Sequence, residues 1–260
     1  MSETIEEIKK PILDLSVNQL EGVGGVTAKK LDTFGVTSLI DICIRGGREI
    51  SEITGVTKAK ADGWVFNAQK ILEENDMIRR SDMDVIDLME YQDNLPTIST
   101  KCKTIDDLFG GGIKPECVYE VYGEFGSGKT QFCNTLAVES INNGDNVVWI
   151  DCEDTFRPRR IIEILKGQFR EEYLGRGTLA DRQNQIARLM THIKNISYYF
   201  KCTVIFTNQV QSDPAVMFGD PIKPIGGNIV GHASTYRIYF KKSGKKRIAR
   251  MVDSPEHPMA

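Results

Sequence analysis

The stretch Val118-Tyr-Glu-Val-Tyr-Gly123-Glu-Phe-Gly126-Ser127-Gly128-Lys129-Thr130-Gln131 decides the fold of this 260-residue chain. Its first five residues read as an apolar strand, and Gly123 to Thr130 form a full G-x-x-x-x-G-K-T ahead of a helical stretch, 131–142. The glycines let such a loop curl so that backbone N–H groups converge on phosphate oxygens. The helix N-terminus adds its positive end, Lys129 neutralises phosphate charge, and the Thr130 hydroxyl can ligate Mg²⁺.

Downstream, the apolar runs Val147-Val-Trp-Ile150 and Thr203-Val-Ile-Phe206 alternate with helical stretches, 131–142 and 182–199. This alternation predicts an α/β layer with a mostly parallel sheet from residue 98 onward. The 147–150 run leads into Asp151-Cys-Glu153, placing two carboxylates at the sheet edge where ligands of open α/β folds bind. One of them could polarise an attacking water. Asp151 reads equally as the Mg²⁺-supporting aspartate of a Walker B strand, or as a cap on the next helix.

Upstream, residues 1–75 read as short helices separated by glycine turns, a small all-helical domain. Residues 76–97 fall in an acidic stretch that closes with Asn94-Leu-Pro96, the composition of a tether. Residues 98–260 form the α/β domain. The run Leu20-Glu-Gly22-Val-Gly24-Gly25-Val-Thr-Ala-Lys29-Lys30-Leu31 looks like a helix-hairpin-helix, whose turn amides and lysines would hold a phosphate without reading sequence. A weaker copy, Ile53-Thr-Gly55-Val-Thr-Lys-Ala-Lys60-Ala, reads equally as an ordinary helix end with glycine just past it.

Composition sets outer limits. Apolar residues make up 40% and charged residues 27%, and 33 basic against 36 acidic side chains leave a net charge of −3, so any polyanion contact is local. The six cysteines (43, 102, 117, 133, 152, 202) show no C-x-x-C and have no histidine at ligand spacing, which predicts reduced, buried thiols rather than a metal site. The opening Met-Ser-Glu-Thr-Ile-Glu-Glu has no signal-peptide pattern, and no run reaches the roughly 18 apolar residues of a membrane span. A soluble, unexported protein is expected.

Taken in order, several motifs resemble the archaeal RadA recombinases, relatives of bacterial RecA and of the eukaryotic strand-exchange recombinases. They are 123–131, Trp149-Ile-Asp151-Cys-Glu153-Asp-Thr-Phe-Arg-Pro-Arg-Arg160, Tyr173-Leu-Gly-Arg176-Gly, Thr207-Asn-Gln209-Val, and Pro224-Ile-Gly226-Gly227-Asn228 with His232-Ala-Ser-Thr235. The resemblance implies a RecA-like P-loop NTPase core, ATP and Mg²⁺ as cofactors, and nucleotide contacts at Gly123, Gly126, Ser127, Gly128, Lys129, Thr130 and Gln131. It implies Glu153 as the residue that activates the hydrolytic water, which demotes the Walker B reading of Asp151. Arg160 would stack on adenine, and Gln209 would sense the γ-phosphate and relay it to the DNA loops. Asp253-Ser-Pro255 would cap ATP bound to the neighbouring protomer.

The resemblance also implies a first DNA loop carrying Arg170, Tyr173, Arg176 and Arg182, and a second, 211–230, with backbone amides around Gly226, Gly227 and Asn228 following a single strand. Seven of the fourteen residues 237–250 are basic and none is acidic, a phosphate track or simply a solvated hairpin face. Single- and double-stranded DNA, bound without sequence preference, self-association into filaments, and a cytoplasmic, nucleoid-associated location follow as further implications.

Three departures stand out. Only 20 positions separate Glu153 from Tyr173, and 166–172 contain no h-h-h-h-D, so the Walker B strand is expected to be missing, as from an internal deletion. The chain also stops where the family adds a last strand. The family's linker polymerisation motif, Phe-x-x-Ala, is replaced by Met83-Asp-Val-Ile86. Two readings result: a DNA-dependent ATPase that forms filaments and exchanges strands, or a DNA- and nucleotide-binding module or defective deletion variant that does not turn ATP over.

Overall fold

A computed structural model describes residues 15–151, 180–212, 222–244 and 246–256. The chain divides into two compact units, one of residues 1–92 with 198–201, the other of residues 93–197 with 202–260.

The first unit is helical: α1 (Gly25–Thr33), α2 (Leu39–Thr54), α3 (Lys58–Glu74) and α4 (Val85–Asp93). Leu31, Val36, Leu39, Ile42, Ile50, Trp64 and Leu72 close its core, and the ring of Tyr199 joins them. Gln69 Nε2 donates to the Tyr199 hydroxyl at 2.6 Å. A reciprocal capping box starts α2: Ser38 Oγ accepts from the Asp41 amide, and Asp41 Oδ2 accepts from the Ser38 amide at 2.8 Å. In contrast, α4 buries no residue, and Val85, Ile86 and Met89 are exposed.

The second unit is α/β. Its sheet runs β2–β1–β5–β6, where β1 is Val118–Gly123, β2 Val204–Asn208, β5 Tyr236–Ser243 and β6 Lys246–Asp253. β1 pairs in parallel with both β2 and β5, and β5 turns back antiparallel into β6. A separate antiparallel ribbon joins β3 (Val210–Ser212) to β4 (Ile222–Pro224). The helices are α5 (Lys103–Leu108), α6 (Lys129–Asn142), α7 (Ala180–Tyr199), whose last two residues fall in the first unit, and α8 (Gly227–Ala233).

Flanked on both edges, β1 is buried along its whole length, as a central parallel strand must be. Its alternate side chains face two layers. Tyr119 and Val121 pack with Phe109, Phe132, Leu136, Tyr236, Ile238 and Phe240, where Tyr119 stacks on Tyr236 at 4.8 Å and Phe132 meets Phe240 edge-on. Val118 packs on the other face with Met190 of α7 and Ala233 of α8.

The strand expected at 147–150 does not form. Residues 145–151 have no regular structure, with Val148 86% and Ile150 82% exposed. A parallel strand needs a ladder, and among the described residues no strand is laddered to this segment or to the far edge of β2.

Candidate nucleotide site

The phosphate loop lies where the central strand meets α6. Gly123 ends β1 against β5, and a Cβ there would lie 2.0 Å from the Phe240 carbonyl oxygen and 2.9 Å from Ser127 Oγ. Only glycine lets the two backbones approach this closely. Gly128 turns the chain into α6 with a φ of +104°, a left-handed conformation that leaves the first amides of the helix pointing into the loop.

Lys129 opens α6 and folds back over the loop. Its buried ammonium donates to the carbonyls of Gly123 at 2.9 Å and Glu124 at 3.0 Å. Ser127 is fully buried, and its hydroxyl has no hydrogen-bond partner. A fourteen-residue helix aimed at the loop, a lysine ammonium lying over it on two backbone carbonyls, and an orphaned buried hydroxyl suit a polyphosphate. Thr130 is exposed beside them, where its hydroxyl can reach Mg²⁺, and the Gln131 amide leans back onto Thr135 Oγ1 at 3.5 Å. Cys133, one turn further, is pushed up to about 12 by burial and is no nucleophile at neutral pH.

Gln209 directly follows β2, and its carbonyl accepts the Ile225 amide at 3.0 Å, which ties it to the segment entering α8. Gly226 caps α8 with a φ of +95°, and Gly227 and Asn228 form its first turn. The β3–β4 ribbon and the first turn of α8 therefore lie within 211–230, the expected second DNA loop.

The basic hairpin is β5–β6, with Lys241, Lys242, Lys246, Arg247 and Arg250 exposed. Arg237 does not belong to that track. It is drawn inward to Glu120, which is wholly buried, with Nε to Oε2 at 2.6 Å. Asp253 ends β6, and Pro255 lies exposed just past it; Glu256 ties this segment back by accepting from Tyr236 and Lys114.

In the helical unit, Gly22 turns with a φ of +80°, Gly24 precedes α1, and Gly25 begins it, with Lys29 and Lys30 exposed. The Trp64 indole donates to the Glu21 carbonyl at 3.0 Å and pins this turn. At the weaker copy, Gly55 is a left-handed helix terminator whose amide returns to Ser51, the ordinary helix-end geometry.

Glu153, Arg160, Arg170, Tyr173 and Arg176 lie outside the described residues, and Arg182 falls in the first turn of α7. Among the described residues no cluster of histidine, cysteine, aspartate and glutamate could hold a metal, and no helix is long and apolar enough to cross a membrane. Sequence reading missed Glu120 and Asn208. A carboxylate inside an otherwise apolar central strand was the available signal.

Comparison with known proteins agrees with this geometry. The Rad51 family model matches residues 92–168 and 165–260. The DNA repair and recombination protein RadA of Cenarchaeum symbiosum (strain A) is 38% identical over 303 residues, covering 95% of this chain and 76% of that protein. The two family segments meet at 165–168, inside the short interval after Glu153. The alignment spans 303 positions, whereas 95% of 260 residues is about 247, so about 56 aligned positions have no residue here.

Proposed function

Since the chain belongs to the Rad51 family of DNA repair and recombination proteins, we propose that it binds ATP at 123–131 and DNA without sequence preference, and joins homologous strands in recombination. The observation that carries this is the phosphate loop, with Lys129 folded over it and Ser127 Oγ orphaned inside it. When bound, Mg²⁺ with ATP supplies an activated phosphoryl bond. The chain's own groups would bind and orient: loop amides and Lys129 would hold phosphate oxygens, the Thr130 hydroxyl would hold the metal, and Gln209, just past the end of β2, would relay the γ-phosphate to the second loop.

Glu153 is the residue proposed to orient the water, and Arg160 to cover the base; Asp253 and Pro255 would close over a neighbour's nucleotide. DNA would lie along Arg170, Tyr173, Arg176 and Arg182, the Gly226–Asn228 amides, and the hairpin turn at Gly22, Gly24, Gly25 and Lys29. Residues 1–75, 76–97 and 98–260 would serve as DNA-binding domain, polymerisation linker and ATPase core. Exposed Val85, Ile86 and Met89 supply the apolar surface that such a linker needs.

A second reading is favoured by a specific observation. Residues 166–172 contain no h-h-h-h-D, so a bound Mg²⁺ would lack the outer carboxylate of a Walker B strand. Nucleotide and DNA would then bind while steady-state hydrolysis stays near background. Fluorescence anisotropy of a labelled single-stranded oligonucleotide, with and without a non-hydrolysable ATP analogue, tests the binding reading. Salt-sensitive binding strengthened by the analogue is expected; no binding at low salt would refute it.

A further inference from the structure

The side of β1 that faces α7 and α8 carries a buried polar knot. Glu120, three residues before the phosphate loop, is fully buried in the middle of the sheet, opposite Arg237 on one neighbour and Phe206 on the other. Both carboxylate oxygens are used. Oε2 accepts from Arg237 Nε at 2.6 Å, and Oε1 accepts from Asn208 Nδ2 at 2.7 Å. The Arg237 guanidinium also lies 5.6 Å from the centre of the Tyr122 ring, which limits where it can go. Asn208 Nδ2 donates again, to the Ile225 carbonyl at 2.6 Å, and the Ile225 amide returns to the Gln209 carbonyl at 3.0 Å.

One carboxamide thus fastens three pieces: the strand that ends in the phosphate loop, the end of β2 next to Gln209, and the segment that leads into Gly226 and α8. A buried carboxylate bound this way has a single good arrangement, because any shift of β2 against β1 strands a charge in the core.

We propose that Asn208, held by the Glu120–Arg237 pair, is a positioning residue that couples the phosphate loop to residues 222–228. This rests on the nucleotide reading above. Asn208 acts through its bonds to Glu120 and to the Ile225 carbonyl; it sets the position of Ile225 relative to Gln209 and β1, so that tightening of the phosphate loop reaches the base of the second loop through the polar knot.

Amide hydrogen exchange on the full chain, with and without a non-hydrolysable ATP analogue and Mg²⁺, tests it. In the unmodified protein the analogue slows exchange both at 123–131 and, by about fivefold or more, at 222–228. In Asn208→Ala the slowing at 123–131 persists, while that at 222–228 falls below about twofold. Asn208→Ser gives the same split and carries the test if Asn208→Ala does not fold. Val204→Ala, which loosens the same strand through its apolar packing, keeps the unmodified pattern.

Undiminished slowing at 222–228 in the Asn208 variants overturns the proposal, and so does an equal loss in Val204→Ala, which marks a merely structural role. Slowing confined to 123–131 in the unmodified protein overturns the proposal alone. No slowing at 123–131 overturns the nucleotide reading along with it.

Discussion

Lys129 keeps its ammonium buried on two backbone carbonyls, an arrangement that phosphate oxygens can replace with stronger, charge-assisted bonds. Lys129→Ala should therefore weaken binding of a fluorescent ATP analogue by roughly 10- to 150-fold, the equivalent of about 1.5–3 kcal/mol for a charged hydrogen bond, with little change in melting temperature. Gly123→Ala acts differently. Its new methyl meets the Phe240 carbonyl, so β1 and β5 must separate, at about 1–3 kcal/mol, read as a lowered melting temperature in calorimetry. Asp106 is a third case: burial alone would raise its carboxyl, but hydrogen bonds from Thr100 and Ser99, helped by Lys101, hold it below the ordinary carboxylate value. Its stabilising effect is present above the unfolded value and is lost as pH falls through the folded one. Asp106→Asn should flatten the acid limb of a denaturation-midpoint profile; an unchanged limb would contradict that origin.

At the scale of elements, the capping box of Ser38 and Asp41 fixes where α2 starts. Ser38→Ala should cost about 1 kcal/mol, seen as a lower urea midpoint. The helices were legible from sequence because their signals are local: 131–142 and 182–199 reappear almost unchanged as α6 and α7. So were β1 and β2, with ends shifted by a residue or two. The run 147–150 was misread for a complementary reason. Valine, tryptophan and isoleucine in sequence are strand-formers, but a strand exists only if another chain segment accepts its hydrogen bonds, and that partner cannot be seen in four residues. Arg237 was misassigned in the same way: in sequence it is one of seven cations, and only the β1–β5 register puts Glu120 opposite it. Tyr199 was invisible because its partner Gln69 is 130 residues away.

For the molecule as a whole, the phosphate-loop motif is complete, and the sheet beside it has four strands among the described residues. The family match divides within the interval between Glu153 and Tyr173. On the proposed function, nucleotide binding would need the loop, the lysine and the helix, which the described residues include. On the second reading, hydrolysis would in addition need a metal-supporting carboxylate and a placed water, and residues 166–172 carry no h-h-h-h-D to supply the first. Incubation of the full chain with labelled ATP, Mg²⁺ and single-stranded DNA, followed by capture of the protein and separation of the retained label, measures both steps at once. Label should be retained and remain ATP over many minutes, with retention lost in Lys129→Ala. Retained label that turns over to ADP and phosphate, or no retention at all, would contradict it.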